Sequence, residues 1–458
     1  VFSKLDEPIP LGYCNVGKVI GVGEEVTEFK IGDRVASNGP HAEIVSVPKN
    51  LVVKIPESVQ DEEATFTVIG SIGLQGVRLL NPTLGETIVV YGLGLIGLIS
   101  SQLLKMNGCN VIGIDIDDAK CALAKKLGIN SINAMKTDID KYVLEKTSGI
   151  GSDGVLITAS SKSNEIISES AKICRKKGKI VLVGVIGLEL NRNEFYSKEL
   201  SFTVSCSYGP GRYDDIYEQK GIDYPLPYVR WTEKRNFETI LSSIQKSQLN
   251  VKDLITQSVD LKDFKTIYED LKSNKNVASI ISYPDLEKKE RISNNINLYT
   301  NNYSKQKAVI GIIGSGNFTN STILPCLKKT SAKIKFIASS SGISSTMLAK
   351  KYNIDNSTTD YKNILDDDEI DTVIIATRHN THAKLILESL SADKNIFVEK
   401  PLALNSSELN QIISAFKDSP KKQLMVGFNR RFSPHTVGIK KSIGEDTGPI
   451  NIIANMNA

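Results

Sequence analysis

Gly92-Leu93-Gly94-Leu95-Ile96-Gly97 stands between an apolar β run, Thr87-Ile88-Val89-Val90-Tyr91, and a helical pattern from Leu95 to Met106. A strand, a glycine turn and a helix in that order form a cradle for the pyrophosphate of a dinucleotide. Each glycine has a physical task. Gly92 allows the tight turn, Gly94 removes the Cβ that would block the phosphate, and Gly97 lets the helix pack on the strand. Leu95 and Ile96 open the helix, whose free N–H groups and partial positive charge face the anion. Asp115 ends the next apolar run, Asn110-Val111-Ile112-Gly113-Ile114-Asp115. It lies where a carboxylate grips the ribose diol. A fixed negative charge there repels a 2′-phosphate, so NAD(H) is expected over NADP(H) in this half.

More than two hundred residues later a second turn, Gly314-Ser315-Gly316-Asn317-Phe318-Thr319, follows Val309-Ile310-Gly311-Ile312-Ile313. It lacks the third glycine and has Thr319 instead. Ser339-Ser340-Ser341 occupies the place of the ribose-binding acid. No charge there excludes a 2′-phosphate and no arginine invites one, so either NAD(H) or NADP(H) is expected in this half. Around both turns, β runs alternate with helical patterns. That alternation predicts an α/β fold with two Rossmann-type doubly wound parallel sheets. Before the first, short β runs at Gly17–Gly23, Phe29–Val35 and Ala42–Pro48, punctuated by glycine, predict a small β lobe. The stretch 285–306 is rich in Asn, Lys, Glu and Ser, has no clear period, and reads as a linker.

A chain of 458 residues exceeds the size of a single core. Its net charge is +4, with no basic stripe, which argues against nucleic acid as a partner. Six cysteines stand singly, which suits buried thiols in a reducing cytoplasm. The uncharged window Thr87 to Leu104 is broken by glycines where a strand turns into a helix, so no membrane span is expected. The chain begins at Val1 and ends on a strand-like Ile450-Asn451-Ile452-Ile453-Ala454, and both ends read as cut from a longer frame.

Leu11-Gly12-Tyr13-Cys14-Asn15-Val16-Gly17-Lys18-Val19, Gly32-Asp33-Arg34-Val35 and the first glycine turn, in that order, resemble the medium-chain, alcohol-dehydrogenase-like family. The resemblance implies a partial GroES-like lobe over 1–60, completed by about 232–284, and a first NAD-binding domain over 61–231. Zinc members of that family carry His-Glu where this chain has Tyr13-Cys14, and Cys or Asp where it has Ser71. The structural-zinc loop is replaced by Ala36-Ser37-Asn38-Gly39-Pro40-His41. Tyrosine and serine are poor Zn²⁺ ligands, so no zinc is expected. Without a metal, Tyr13 is the candidate to polarise a carbonyl or relay a proton; packing beside the coenzyme is the alternative.

Ala376-Thr377-Arg378-His379-Asn380-Thr381-His382, Val398-Glu399-Lys400-Pro401 and Gly427-Phe428-Asn429-Arg430-Arg431-Phe432 resemble the Gfo/Idh/MocA oxidoreductase family. The resemblance implies a second NAD(P)-binding domain over 307–432, held by Gly314, Gly316, Asn317, Phe318, Thr377, Glu399, Lys400 and Pro401. It also implies the first elements of a substrate domain over 433–458. In that family the lysine sits where nicotinamide and substrate meet. An amine partly out of water beside a cationic ring is a usable acid/base, which makes Lys400 the catalytic candidate. The i, i+3 pair His379 and His382 lacks a third ligand and is not expected to hold a metal.

The two resemblances in one chain are those of bi-domain oxidoreductases associated with bacterial polysaccharide biosynthesis. They imply a dehydrogenase acting on CH–OH groups of a sugar or nucleotide-linked sugar. Its partner is then a small molecule rather than nucleic acid or membrane, and a homo-oligomer stays open. The rival reading is a nucleotide-binding scaffold or sensor with one or no catalytic half. The segments Ser207–Tyr213 and Pro225–Trp231 either line a polar substrate cleft or form a structural loop.

Overall fold

The computed structural model describes residues 11–270, 276–284, 293–301, 303, 308–444 and 448. It divides into two compact units, one ending at 284 and the other formed from 293 onward.

In the first unit a six-stranded parallel sheet runs, edge to edge, Asn130–Asn133, Asn110–Asp115, Thr87–Tyr91, Ser152–Ile157, Cys174–Leu182 and Ser201–Val204. Along the central strand Ile88 and Val90 face one cluster, with Leu98, Phe237 and Ile240 from the covering helices. Val89 and Tyr91 face another, with Val143 and Ile167. Both faces of the sheet are thus covered by helices, which is why the strand reads as continuously apolar rather than alternating. Each such Val or Ile contributes roughly 1.5–3 kcal/mol by leaving water. The apolar window Thr87 to Leu104 is this strand plus the start of a helix. Among the described residues no helix is long and apolar enough to cross a membrane.

The β lobe is a three-stranded antiparallel sheet of Asn15–Lys18, Arg34–Ser37 and Val52–Lys54. The expected runs Gly17–Gly23 and Phe29–Val35 only overlap the first two of these strands, at 17–18 and 34–35. The third, Ala42–Pro48, is not a strand; Val52–Lys54 supplies the pairing, because Val53 drops into the core while Ala42–Val47 stays largely at the surface. In the stretch expected to complete the lobe, Ile255–Asp260 pairs parallel with Ala278–Ser282 as a separate two-stranded sheet.

In the second unit the sheet runs Asn356–Thr358, Lys333–Ala338, Val309–Ile313, Thr372–Ile375, Asn395–Val398 and Leu424–Val426, all parallel. Numbered by position in the chain, both sheets have the order 3-2-1-4-5-6 of dinucleotide-binding folds. The second carries a seventh, antiparallel strand, Asn295–Asn297, beside Asn356–Thr358. The supposed linker is therefore in part an edge strand, and 285–292, 302 and 304–306 of it lie outside the described residues. A three-residue Asn-Ile-Asn strand has no readable period; only a partner from far along the chain defines it.

Candidate active sites

Reversal of strand order opens a crevice at the carboxyl ends of the strands, and each glycine turn lies there. In the first unit Gly92 takes φ +101°, and its N–H donates to the Ile114 carbonyl at 2.8 Å. A Cβ at Gly97 would lie 1.9 Å from the Gly92 carbonyl oxygen, whereas one at Gly94 would meet nothing within 4 Å. Gly97 thus serves packing, and Gly94 leaves space open to a ligand. No side chain caps the helix Leu95–Met106, so the N–H groups of its first turn, Leu95 and Ile96 among them, stay available to an anion. Asp115 is buried at the end of its strand. One oxygen accepts from the Leu93 N–H at 2.7 Å and the other from the Asp117 N–H at 3.0 Å. The carboxylate is thereby aimed at the turn by the main chain of the turn itself.

The second cradle repeats this frame with different chemistry. Gly314 takes φ +110° and donates to the Ala338 carbonyl at 3.0 Å. A Cβ at Gly316 would again meet open space. In place of the third glycine, buried Thr319 donates its hydroxyl to the Gly314 carbonyl at 2.8 Å, and the helix opens there with a π turn, Thr319–Ile323. The wider turn gives room to a side chain that would collide in the first cradle. The hydrogen bonds of Gly92 and Gly314 set Ile114 and Ala338 in register, so Asp115 corresponds to Ser339. The Ser339 hydroxyl lies 2.8 Å from that of Ser345. Asn317 and Phe318 are exposed at the mouth of this turn.

Three adjacent strands of the second sheet bring Gly314, Thr377 and Glu399–Lys400 to one edge. The Glu399 N–H donates to the Ile375 carbonyl at 2.9 Å, and the Lys400–Pro401 peptide is cis. The Glu399 carboxylate lies over Gly427, where a Cβ would come within 2.7 Å of it. The desolvation expected of Lys400 is not supplied by this chain alone, because its side chain is exposed. His382 is fully buried; Nδ1 lies 2.7 Å from the Pro401 carbonyl and Nε2 3.2 Å from that of Thr377. Both ring nitrogens are turned to main-chain oxygens and neither is free for a metal.

The β lobe presents Tyr13, 44% exposed, and Cys14 behind it. Burial foremost, then Cys14 and Tyr208, push the Tyr13 phenol up to about 12. It keeps its proton at neutral pH. Burial pushes the Cys14 thiol up to about 12 as well. Buried Ser71 donates its hydroxyl to the Thr67 carbonyl at 2.9 Å. The His41 ring packs on Gly12, where a Cβ would fall 2.0 Å away. This donor set does not fit Zn²⁺.

The segments 207–213 and 225–231 are tied to their own surroundings. Arg212 pairs with Glu218 at 2.6 Å and lies over Tyr208 and Tyr213. Arg78 and Arg230 stand 3.5 and 3.8 Å from the Trp231 ring centre. Next in the chain, Glu233 is fully buried and neither carboxylate oxygen has a hydrogen-bond partner. Burial and then Glu218 raise it to about 8. Sequence reading missed this group, because an acid after Thr232 looks like an ordinary first-turn helix residue.

Residues 96–219 match the family described as zinc-binding dehydrogenase, and residues 308–428 match an oxidoreductase family with an NAD-binding Rossmann fold, Gfo/Idh/MocA. D-guloside 3-dehydrogenase of Escherichia coli is 30% identical over 256 residues, 54% of this chain and 68% of that enzyme. Sorbitol dehydrogenase of Halalkalibacterium halodurans is 24% identical, over 60% of this chain and 83% of that enzyme. In fold, the chain is similar to the alcohol dehydrogenase of Thermus sp. ATN1, with a TM-score of 0.51 and 19% identity over 60% of this chain and 84% of that one. The chain belongs to the alcohol-dehydrogenase-like oxidoreductases through its first unit and joins to it a unit of the Gfo/Idh/MocA family, a bi-domain oxidoreductase.

Proposed function

We propose that the chain is a two-site NAD(P)-dependent dehydrogenase that acts on a sugar or nucleotide-linked sugar, with a zinc-free first unit, and that it serves polysaccharide biosynthesis in the cytoplasm. The observation that carries the reading is the pair of cradles, each with a glycine whose Cβ would point into open space. The names of the relatives, a guloside dehydrogenase and a sorbitol dehydrogenase, favour a polyhydroxylated substrate.

When bound, the nicotinamide ring accepts a hydride from the carbinol carbon. The chain's part is to hold the ring and to take the hydroxyl proton, so that alcohol and oxidised coenzyme yield ketone, reduced coenzyme and a proton. Lys400 takes that proton in the second unit. In the first, the half-exposed Tyr13 phenol relays that proton to solvent, releasing its own to water as it takes the hydroxyl's, in place of a metal. Gly92, Gly94, Leu95, Ile96, Gly97 and Asp115 hold the first coenzyme. Gly314, Gly316, Asn317, Phe318, Thr377 and Glu399 through Pro401 hold the second.

The test is formation of reduced nicotinamide when the purified chain meets NAD⁺ or NADP⁺ and a panel of free, glycosidic and nucleotide-linked hexoses. Turnover on at least one, unchanged by a zinc chelator, is expected. Tight coenzyme uptake without turnover on any of them supports the scaffold or sensor instead.

A further inference from the structure

We propose that His382 is a positioning residue for Lys400, its buried imidazole bridging the lysine-bearing turn and the neighbouring loop after strand Thr372–Ile375. The inference rests on the reading of Lys400 as the acid/base and adds what aims it.

The geometry is specific. Lys400 and Pro401 follow the strand Asn395–Val398, and Thr377 follows its neighbour Thr372–Ile375. Beyond their strands, the two loops have no ladder to hold them together. His382, first residue of the helix His382–Ser391, enters between them with no exposed surface. Its two nitrogens address one carbonyl in each loop, Pro401 at 2.7 Å and Thr377 at 3.2 Å. In either neutral tautomer the ring donates to one of them; with both nitrogens protonated it donates to both.

A short hydroxyl chain fixes the helix end that carries the ring. Thr377 and Thr381 hydroxyls are 2.7 Å apart, and the Thr381 hydroxyl donates to the Arg378 carbonyl at 2.8 Å. Lys400 is exposed and ends a flexible stem, so its aim depends on the main chain that bears it. That main chain is one residue from the bridge. This ring meets a carbonyl on each of the two loops that border the proposed coenzyme site.

The experiment is competitive acetylation of the full chain, reading the rate at Lys400 against exposed Lys417, with and without saturating NAD⁺ and, separately, NADP⁺. In the wild type one of the two coenzymes is expected to slow Lys400 labelling. In His382→Leu the protection should fall about tenfold, the equivalent of losing about 1.4 kcal/mol of hydrogen bonding. His382→Gln, which keeps a donor, should recover part of it and also carries the test where the leucine variant does not fold. A histidine with a purely structural role would lower the melting temperature and leave the protection ratio unchanged in both variants; that result overturns the proposal. If neither coenzyme protects Lys400 in the wild type, the acid/base reading itself fails, and the positioning role falls with it.

Discussion

The two glycine turns share a frame and differ in everything attached to it. In the first, three glycines close the turn, a buried aspartate is aimed by the Leu93 N–H, and the best catalytic candidate is a phenol from the β lobe. In the second, a threonine replaces the third glycine at the cost of a π turn, a serine stands in place of the aspartate, and a Glu-Lys-Pro turn lies on the same sheet edge. The lesson is that the cradle and the side chains around it are separable: both units present the same glycine turn with open space at its second glycine, while the neighbouring strand ends carry an aspartate in one and a serine and a Glu-Lys-Pro turn in the other.

That separation is broken most severely at Lys400. Lys400→Ala should cost about 10²- to 10⁴-fold in turnover by the second unit while coenzyme still binds, as read by steady-state rates beside NADH fluorescence titration. Unchanged turnover would remove the lysine from the mechanism and leave only its binding role.

Gly94→Asp and Gly316→Asp sharpen the comparison from the cradle side. A Cβ at either position meets nothing within 4 Å and the new carboxylate would repel the pyrophosphate, so each variant should fold and bind one NADH instead of two, the lost site weakened about 100-fold or more. Gly97→Ala should behave otherwise. Its Cβ meets the Gly92 carbonyl, so it should lower the melting temperature of the first unit, seen by calorimetry, as well as coenzyme affinity.

Stability separates the units too. Glu233 has a folded value near 8 against 4.5 for a free glutamate. A raised carboxyl favours the protonated form in the fold. Its contribution is full below about 4.5 and is lost as pH rises through about 8, on the order of a few kcal/mol. The melting temperature of the first unit should fall across that window, and Glu233→Gln should flatten the curve. An equally steep curve in the glutamine variant would assign the pH dependence to another group.

The smallest effect expected is on coenzyme choice. Asp115→Ser should relax the first site's preference for NAD(H) over NADP(H) about tenfold, and Ser339→Asp should impose that preference on the second to a similar degree, by the ratio of dissociation constants. If exchange of these residues leaves both ratios unmoved, the strand-end positions do not govern the ribose.

What was legible in the sequence follows the same division. The glycine turns, the strands around them and the Glu-Lys-Pro turn are local patterns, and the two parallel sheets follow from alternating β and α runs. Asn295–Asn297 was hidden because its pairing lies some sixty residues away, in Asn356–Thr358. The β lobe was overdrawn because short alternating runs such as Ala42–Pro48 look like strands until a partner is needed. Glu233 carries no local signal, and His382 was visible only as part of a motif and a histidine pair. Their meaning comes from burial and from which carbonyls or empty space they meet, and that is settled by packing.

Titration of the wild-type chain with NADH by isothermal calorimetry tests the central claim most directly. Two coenzyme molecules bound per chain is the expected stoichiometry. Uptake of none, of NADH or of NADPH in the same measurement, would contradict the reading of both glycine turns as phosphate cradles.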